Sequence, residues 1–220
     1  MNKFFKGLFI SYLVFIFQIN LKADSIHKGE TNLNLVSPLI VLQENDTTYF
    51  KRYLTAKKMF EEEDYVNSLK QSLVLVSEIE KGNNLELEYL SNLLIGDIFR
   101  KRNNHDKALL YFNRSLKLIE NNTTFDLDKL SSYDELLQKE KTLAKTLLKI
   151  GSEYYKLNKK DSAAIYFKKI VDISSLNNFP KIKASGYTNL SAIYLERVNY
   201  TLAREYALNA VEIYKANKDK

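Results

Sequence analysis

The chain has 220 residues, 45% hydrophobic and 27% charged, a balance that supports a packed core and excludes a disordered chain. With two prolines, six glycines and no cysteine, it favours long helices over a many-stranded sheet and excludes disulfides, thiolate metal sites and a cysteine nucleophile. Its formal net charge of +6 is interspersed with acidic residues, so the chain lacks the concentrated basic face that nucleic-acid binding requires.

The first 23 residues have the layout of a secretory signal peptide. Lys3 and Lys6 precede an apolar run from Leu8 to Phe17, and a more polar stretch ends at Ala23. This run is shorter than the roughly 20 residues that a bilayer span needs. We therefore expect export to the periplasm or the cell exterior, with cleavage after Ala23 and no membrane span in the mature chain. The alternative is an uncleaved membrane anchor, if the apolar stretch is taken from Phe4 to Leu21.

Residues 24–46 are predicted to form a polar leader, in which the apolar run Leu39–Leu42 could cap the first helix pair. From Thr47 onward, apolar residues recur at three- and four-residue spacing, which indicates amphipathic helices. Short polar clusters interrupt this spacing and so predict eight helices. The interruptions lie near Glu63–Asp64, Lys81–Asn84, Asn103–His105, Asn121–Leu130, Asn158–Asp161, Asn177–Pro180 and Asn199.

One arrangement of residues recurs along these helices. Gly96 is followed by Phe99 and then, across a polar turn, by Ala108, Phe112 and Ser115. Small residues let two antiparallel helices cross closely, and an aromatic ring fills the space beside them. The other copies are Gly151, Tyr154, Ala163, Phe167 and Ile170; Ser191, Tyr194, Ala203, Ala207 and Ala210; and, more weakly, Ala56, Met59, Ser68, Ser72 and Leu75. They predict one domain, 47–220, with four helix pairs at about 47–83, 85–122, 132–177 and 180–217.

This recurring pattern resembles the tetratricopeptide repeat. The resemblance implies an all-α fold: a right-handed superhelical stack of about four antiparallel helix pairs, which is an α-solenoid. The small residues Ala56, Gly96, Gly151 and Ser191 are separated by 40, 55 and 40 residues, more than the 34 of the usual repeat. Such long repeats are similar to those in the extracytoplasmic regions of signalling proteins from Bacteroidota.

The resemblance also implies a concave groove lined by the first helix of each pair. The groove residues proposed to bind a peptide are Lys57, Phe60, Asp97, Arg100, Lys101, Lys145, Ser152, Tyr155 and Lys156, followed by Ala192 and Leu195 in the last pair. The middle of this set is basic and includes a tyrosine, so it could bind an acidic or C-terminal peptide. For any one of these residues, a solvated helix face is an equally good interpretation.

One departure from the family argues against a specific kind of peptide site. Family members that clamp a C-terminal carboxylate carry an asparagine at the groove position where this chain has Lys57, Asp97, Ser152 and Ala192. We therefore do not expect that clamp here.

No catalytic or metal-binding arrangement is apparent in the sequence. His27 lies in the leader and His105 in a turn between helices, where we expect ordinary solvent-facing residues. The acidic run Glu61–Asp64 lacks the alternating ligands and the glycine of a calcium loop. We predict that the protein is not an enzyme and uses no cofactor and no metal.

The leading interpretation is an exported, non-enzymatic scaffold that binds a protein or peptide in its groove. The alternative is the extracytoplasmic sensory region of a bacterial signal-transduction protein, whose membrane and effector parts would lie outside this chain. The eighth predicted helix is followed by no capping helix before Lys220. Either the outer face of that helix is polar enough, or a continuation of the chain or a second subunit covers it; the last case predicts self-association through the C-terminal helix.

Overall fold

The computed structural model describes residues 37–82, 84–121 and 139–217. Within these ranges all regular structure is helical, which confirms the predicted all-α class and the eight helices. The helices are α1 (Ser37–Glu61), α2 (Tyr65–Gly82), α3 (Leu85–Lys101), α4 (His105–Asn121), α5 (Lys139–Lys156), α6 (Lys160–Leu176), α7 (Pro180–Glu196) and α8 (Tyr200–Ala216). The predicted signal peptide, residues 24–36 of the leader and the predicted start of the third pair at residue 132 lie outside these ranges.

The first helix begins earlier than the sequence pattern predicts. Apolar periodicity starts at Thr47, whereas α1 begins at Ser37, so the last ten residues of the predicted leader are helical. Residues 43–48 are all polar, so no apolar spacing marks the helix there, although glutamine and glutamate are good helix formers. The chain divides into two compact units, residues 1–45 and 46–220, and the described part of the first unit is the beginning of α1.

The same three-residue turn joins α1 to α2, α3 to α4, α5 to α6, α6 to α7 and α7 to α8. Its middle residue always has a positive φ, between 55° and 62°, in the left-handed region. Asparagine tolerates this conformation better than most residues, whereas a β-branched residue is strained in it. The middle residues are Glu63, Asn103, Asn158, Asn178 and Val198.

The third residue of the turn caps the following helix in three of the five cases. The Asp64 carboxylate accepts a hydrogen bond from the Asn67 amide at 3.2 Å, and the Asn104 side chain accepts one from the Lys107 amide at 3.1 Å. Asn199 does the same before α8. These side chains satisfy amide groups that the first helical turn leaves without a partner, so the helix starts are fixed locally.

Glycine lets the two helices of each central pair approach closely. A Cβ atom placed on Gly96 would lie 2.4 Å from a ring carbon of Phe112, and one on Gly151 would lie 2.8 Å from a ring carbon of Phe167. Both phenylalanine rings are fully buried. The small residues predicted from the sequence therefore do mark the places where α3 crosses α4 and α5 crosses α6.

Serine takes the place of this contact in the outer pairs. The Ser68 hydroxyl of α2 donates to the carbonyl of Ala56 on α1 at 2.8 Å, and the Ser191 hydroxyl of α7 donates to the carbonyl of Ala203 on α8 at 2.8 Å. Such a bond needs two backbones in close proximity, which small residues allow. Both outer pairs therefore also cross at the predicted small positions.

Aromatic rings fill the space beside the crossings, as predicted. A ring of the first helix stacks on a ring of the second helix in three successive pairs, with centroids 5.3 to 5.6 Å apart. The stacked pairs are Phe99 with Tyr111, Tyr154 with Tyr166, and Tyr194 with Tyr206. From α2 to α8 each helix packs on the next, so the helix pairs stack as an α-solenoid.

Replacing Gly96 with alanine should lower the free energy of unfolding by about 1–2 kcal/mol, because the added methyl group collides with the Phe112 ring. Helix propensity alone would favour alanine by about 1 kcal/mol, so the sign of the change is diagnostic. Urea denaturation measures it. In a Phe112→Leu background the same replacement should cost clearly less, and an equal cost in both backgrounds would contradict the assigned contact.

Candidate functional site

An open pocket of about 370 Å³ lies on the face formed by the first helices of the last three pairs. Its lining comes from α3, α5 and α7: Arg100, Lys145, Leu148, Lys149, Ser152, Ser185 and Asn189. Three of the predicted groove residues, Arg100, Lys145 and Ser152, are therefore brought together in one place. They reach it from two different helix pairs.

Asp97 binds two of the cations at this pocket. Its carboxylate accepts hydrogen bonds from Lys149 Nζ at 2.6 and 2.8 Å and lies 2.8 Å from the Arg100 guanidinium. Burial lowers the pKa of Lys149, and the attraction of Asp97 opposes that effect. Asp97, predicted as a groove residue, is thus a counter-ion beside the pocket and joins α3 to α5.

Positive charge is in excess around the pocket. Arg100, Lys145 and Lys149 contribute three cations, while Asp97 is the one carboxylate that pairs with them in the described part of the chain. Lys145 is exposed. The three cations share this one paired carboxylate, so positive charge is in excess and the pocket attracts anionic groups.

Lys149 was not predicted as a site residue, although the sequence contains a signal for it. Lys145, Lys149, Ser152 and Lys156 follow one another at intervals of four, three and four residues, which places them along one face of α5. Three of these four residues, Lys145, Ser152 and Lys156, were predicted to line the groove. Lys149, which was passed over, is more buried than its neighbour Lys145.

The other predicted residues do not line this pocket. Lys57, Lys101 and Lys156 are exposed. Phe60 packs against a core cluster of Ala56, Leu94 and Ile98, so packing accounts for its ring. A role in binding for these four residues stays a prediction.

Tyr155 is already engaged within the protein. Its hydroxyl donates a hydrogen bond to the carboxylate of Glu196 at the end of α7, and Lys160 lies 2.5 Å from the same carboxylate. The hydrogen bond to Glu196 raises the pKa of Tyr155, while the bonds from Lys160 and Tyr155 lower the pKa of Glu196. Tyr155 therefore holds the third helix pair to the fourth, and its predicted binding role stays untested.

His105 is not the solvent-facing residue that the sequence predicts. Its Nδ1 atom lies 2.7 Å from the Oε2 atom of Glu153, whose side chain is only 1% exposed. The other carboxylate oxygen of Glu153 has no hydrogen-bonding partner among the described residues. The two residues are 48 positions apart, so the sequence could not pair them, and their contact joins α4 to α5.

Within residues 37–82, 84–121 and 139–217, no three histidine, cysteine, aspartate or glutamate side chains are grouped so that they could hold a metal ion. Across the same ranges, none of the helices combines the length and the apolar character that a membrane crossing requires.

Two segments of the chain, residues 90–122 and 144–175, match the family model described as the tetratricopeptide repeat. These segments cover most of α3 and α4 and most of α5 and α6, the four helices that cross at Gly96 and Gly151. No curated protein matches the sequence.

Solved structures resemble the fold. BtubC from P. vanneervenii superposes with a TM-score of 0.64 at 15% identity, over 80% of this chain and 66% of that one. The apo form of RapI superposes with a TM-score of 0.64 at 15% identity, over 77% of this chain and 44% of RapI. The Rap conjugation gene regulator of plasmid pLS20, solved in complex with the Phr* peptide, superposes with a TM-score of 0.55 at 15% identity. The superposition covers 84% of this chain and 48% of the regulator. The chain thus spans 66% or less of each of these proteins, and the likeness shows the fold alone.

Replacing His105 with alanine should lower the free energy of unfolding at pH 7 by about 3 kcal/mol, because the buried Glu153 carboxylate would lose its hydrogen-bonding partner. Chemical denaturation measures the loss. In a Glu153→Gln background no charge remains buried, so the same replacement should cost about 1 kcal/mol. Equal losses in the two backgrounds would show that the charge of Glu153 contributes nothing to the contact.

Proposed function

We propose that this chain, two segments of which match the tetratricopeptide-repeat model, is a non-catalytic scaffold that binds an extended segment of another protein across its first helices. The observation that carries the proposal is the open pocket shared by α3, α5 and α7, which has more cations than paired carboxylates. A protein of this fold, the Rap regulator of plasmid pLS20, was solved with a peptide bound, which supports a peptide as the ligand.

The chemistry of the pocket favours an acidic segment. Arg100 and Lys145 can donate charge-assisted hydrogen bonds to a carboxylate. On the opposite side, α7 contributes neutral groups: the Asn189 amide nitrogen donates to the Ser185 carbonyl at 2.8 Å, which leaves the amide oxygen as an acceptor. An extended peptide backbone supplies the N–H group that such an acceptor needs. A peptide that carries one or more acidic side chains therefore fits both sides of the pocket.

We further propose that the protein is exported, on the basis of the N-terminal pattern that ends at Ala23. N-terminal sequencing of the protein from an envelope or secreted fraction tests this proposal, with Asp24 as the expected first residue. A chain that retains Met1 and stays in the cytoplasm would contradict it.

A second possible function is the sensory region of a bacterial signal-transduction system. The observation in its favour is the likeness to the conjugation gene regulator that was solved with a peptide. Crosslinking in cells would separate the two functions. Capture of a membrane-spanning kinase or a DNA-binding protein, with a yield that depends on added peptide, favours the sensory function; peptide binding without such a partner favours the simple scaffold.

We also propose that the chain self-associates through α8. Val211 and Tyr214 are each 43% exposed on this helix. The positions that correspond to them in the first two pairs are buried, because the first helix of the following pair covers them. The corresponding residues are Val76 and Leu116 for Val211, and Ile79 and Ile119 for Tyr214.

A second copy of α8 is a suitable cover for this face. Leu208 lies three residues before Val211, and Tyr214 lies three residues after it. An antiparallel second α8 would therefore place Val211 against Val211 and Leu208 against Tyr214, as a two-fold interface requires. The exposed charges of the helix, Arg204, Glu205, Glu212 and Lys215, cancel, so the two copies would not repel each other.

Sedimentation equilibrium should therefore show a dimer that Val211→Glu dissociates, because the exchange places two carboxylates in an apolar contact. Thr201→Glu is the matched control, since it adds the same charge to an exposed position of the same helix. The control should leave the dimer intact. A wild-type protein that remains monomeric at about 100 μM, far above a micromolar Kd, would contradict the proposal.

Peptide binding can be measured with a fluorescein-labelled decapeptide of alternating glutamate and glycine, here called the acidic probe. Exchange of Arg100 and Lys145 for glutamate should weaken its binding by about tenfold or more in fluorescence anisotropy, because the groups that face the carboxylates are reversed. The matched control exchanges Lys117 and Lys168, which are exposed on the second helices α4 and α6. An equal loss in the control would reveal attraction to overall charge and would contradict a site at the pocket.

A further inference from the structure

Asp97 occupies a special position at the pocket. Its carboxylate is 19% exposed and contacts both Lys149 and Arg100, two of the three cations that line the pocket, without lining the pocket itself. In the other three helix pairs the corresponding residues are Lys57, Ser152 and Ala192. An acid at this position is therefore particular to the second pair.

The two contacts of Asp97 differ in strength. Lys149 makes two hydrogen bonds to the carboxylate, at 2.6 and 2.8 Å, and its side chain is 24% exposed. Arg100 is 38% exposed and lies 2.8 Å from one oxygen, as an i,i+3 pair on the same helix. Such partly exposed pairs within a helix contribute only tenths of a kcal/mol. Arg100 can therefore exchange partners more readily than Lys149.

We propose that Asp97 is a specificity-determining residue of the pocket, an internal carboxylate that stands in for the ligand's own carboxylate at Arg100. This inference rests on the proposed binding of acidic segments. An incoming acidic side chain displaces Asp97 from Arg100 and also contacts Lys145, while Asp97 keeps its two bonds to Lys149. Each binding event therefore replaces one ion pair with another, so the charge of the ligand alone yields little affinity.

This arrangement has a consequence for selectivity. With Asp97 present, affinity depends on groups that a carboxylate alone cannot satisfy, chiefly Ser185 and Asn189 on α7. Without Asp97, three cations would face the pocket without the carboxylate that pairs with two of them, and polyanions in general would bind better. Asp97 thus selects acidic peptides over simple anions.

The test compares Asp97→Asn with Asp172→Asn, which removes the same charge from an exposed position on α6. Asp97→Asn should bind the acidic probe about tenfold more tightly than the wild type, since a competing charge close to two cations is removed. It should also lower the thermal stability, because Lys149 loses its counter-ion. Asp172→Asn should change neither quantity appreciably. A merely structural role for Asp97 would lower both stability and affinity.

Citrate measures the loss of selectivity. Two quantities are measured for each variant: the concentration of citrate that displaces half of the acidic probe, and the Kd of the probe. The ratio of the first to the second should fall in Asp97→Asn and stay the same in Asp172→Asn. If the ratio is unchanged, Asp97 does not select peptides over simple anions, and the inference is overturned.

A second pair of variants keeps the test decisive if Asp97→Asn folds poorly. Lys149→Met keeps the ion pair between Asp97 and Arg100. The double variant Asp97→Asn with Lys149→Met removes that ion pair and leaves no unpaired charge buried between α3 and α5. The double variant should bind the acidic probe more tightly than Lys149→Met alone. Equal or weaker binding overturns the inference and leaves the proposed function standing, whereas failure of the wild type and every variant to bind the probe overturns both.

Discussion

The contact between a glycine of the first helix and a phenylalanine ring of the second sets the geometry of the two central helix pairs. Because the Phe112 ring occupies the space where a side chain at Gly96 would begin, α3 can cross α4 only at this point. The crossing fixes which side of the first helix is turned away from the second. Successive helical residues are about 100° apart, so Asp97 and Ser152, which follow the two glycines, are carried toward the open face where the pocket lies.

The helices and their crossings could be predicted because they depend on local rules and on repetition. Asparagines at 103, 158 and 178 mark left-handed turn residues by their type. Val198 does not, because valine disfavours positive φ; the turn is marked instead by its polar neighbour Asn199. The start of α1 at Ser37 could not be predicted from spacing, since residues 43–48 contain no apolar side chain to reveal a period.

The candidate site could be predicted only in part, for a physical reason. The resemblance to the tetratricopeptide repeat indicates which side of each first helix faces the groove, and this was enough to bring Arg100, Lys145 and Ser152 together. It does not reveal which side chain of a neighbouring helix faces them. The pairing of Lys149 with Asp97, 52 residues away, depends on how α5 packs against the second helix pair, and residues 102–138 lie between α3 and α5 in the chain.

The second and third helix pairs meet where α5 packs against α3 and α4, here called the junction. Part of the pocket lies at this junction, and so do the polar contacts between the two pairs. The Tyr89 hydroxyl lies 2.8 Å from that of Thr146 in the core, and α5 continues along this line through Lys149 and Glu153 to the pairs with Asp97 and His105. Each of these contacts exists only when α5 is docked against α3 and α4. A ligand held by Arg100 and Lys145 would likewise bind only the docked state, because its partners come from both sides of the junction. By linkage, ligand binding and the docking of α5 must therefore strengthen each other, so the junction that organises the stack is also where a bound peptide would stabilise it most.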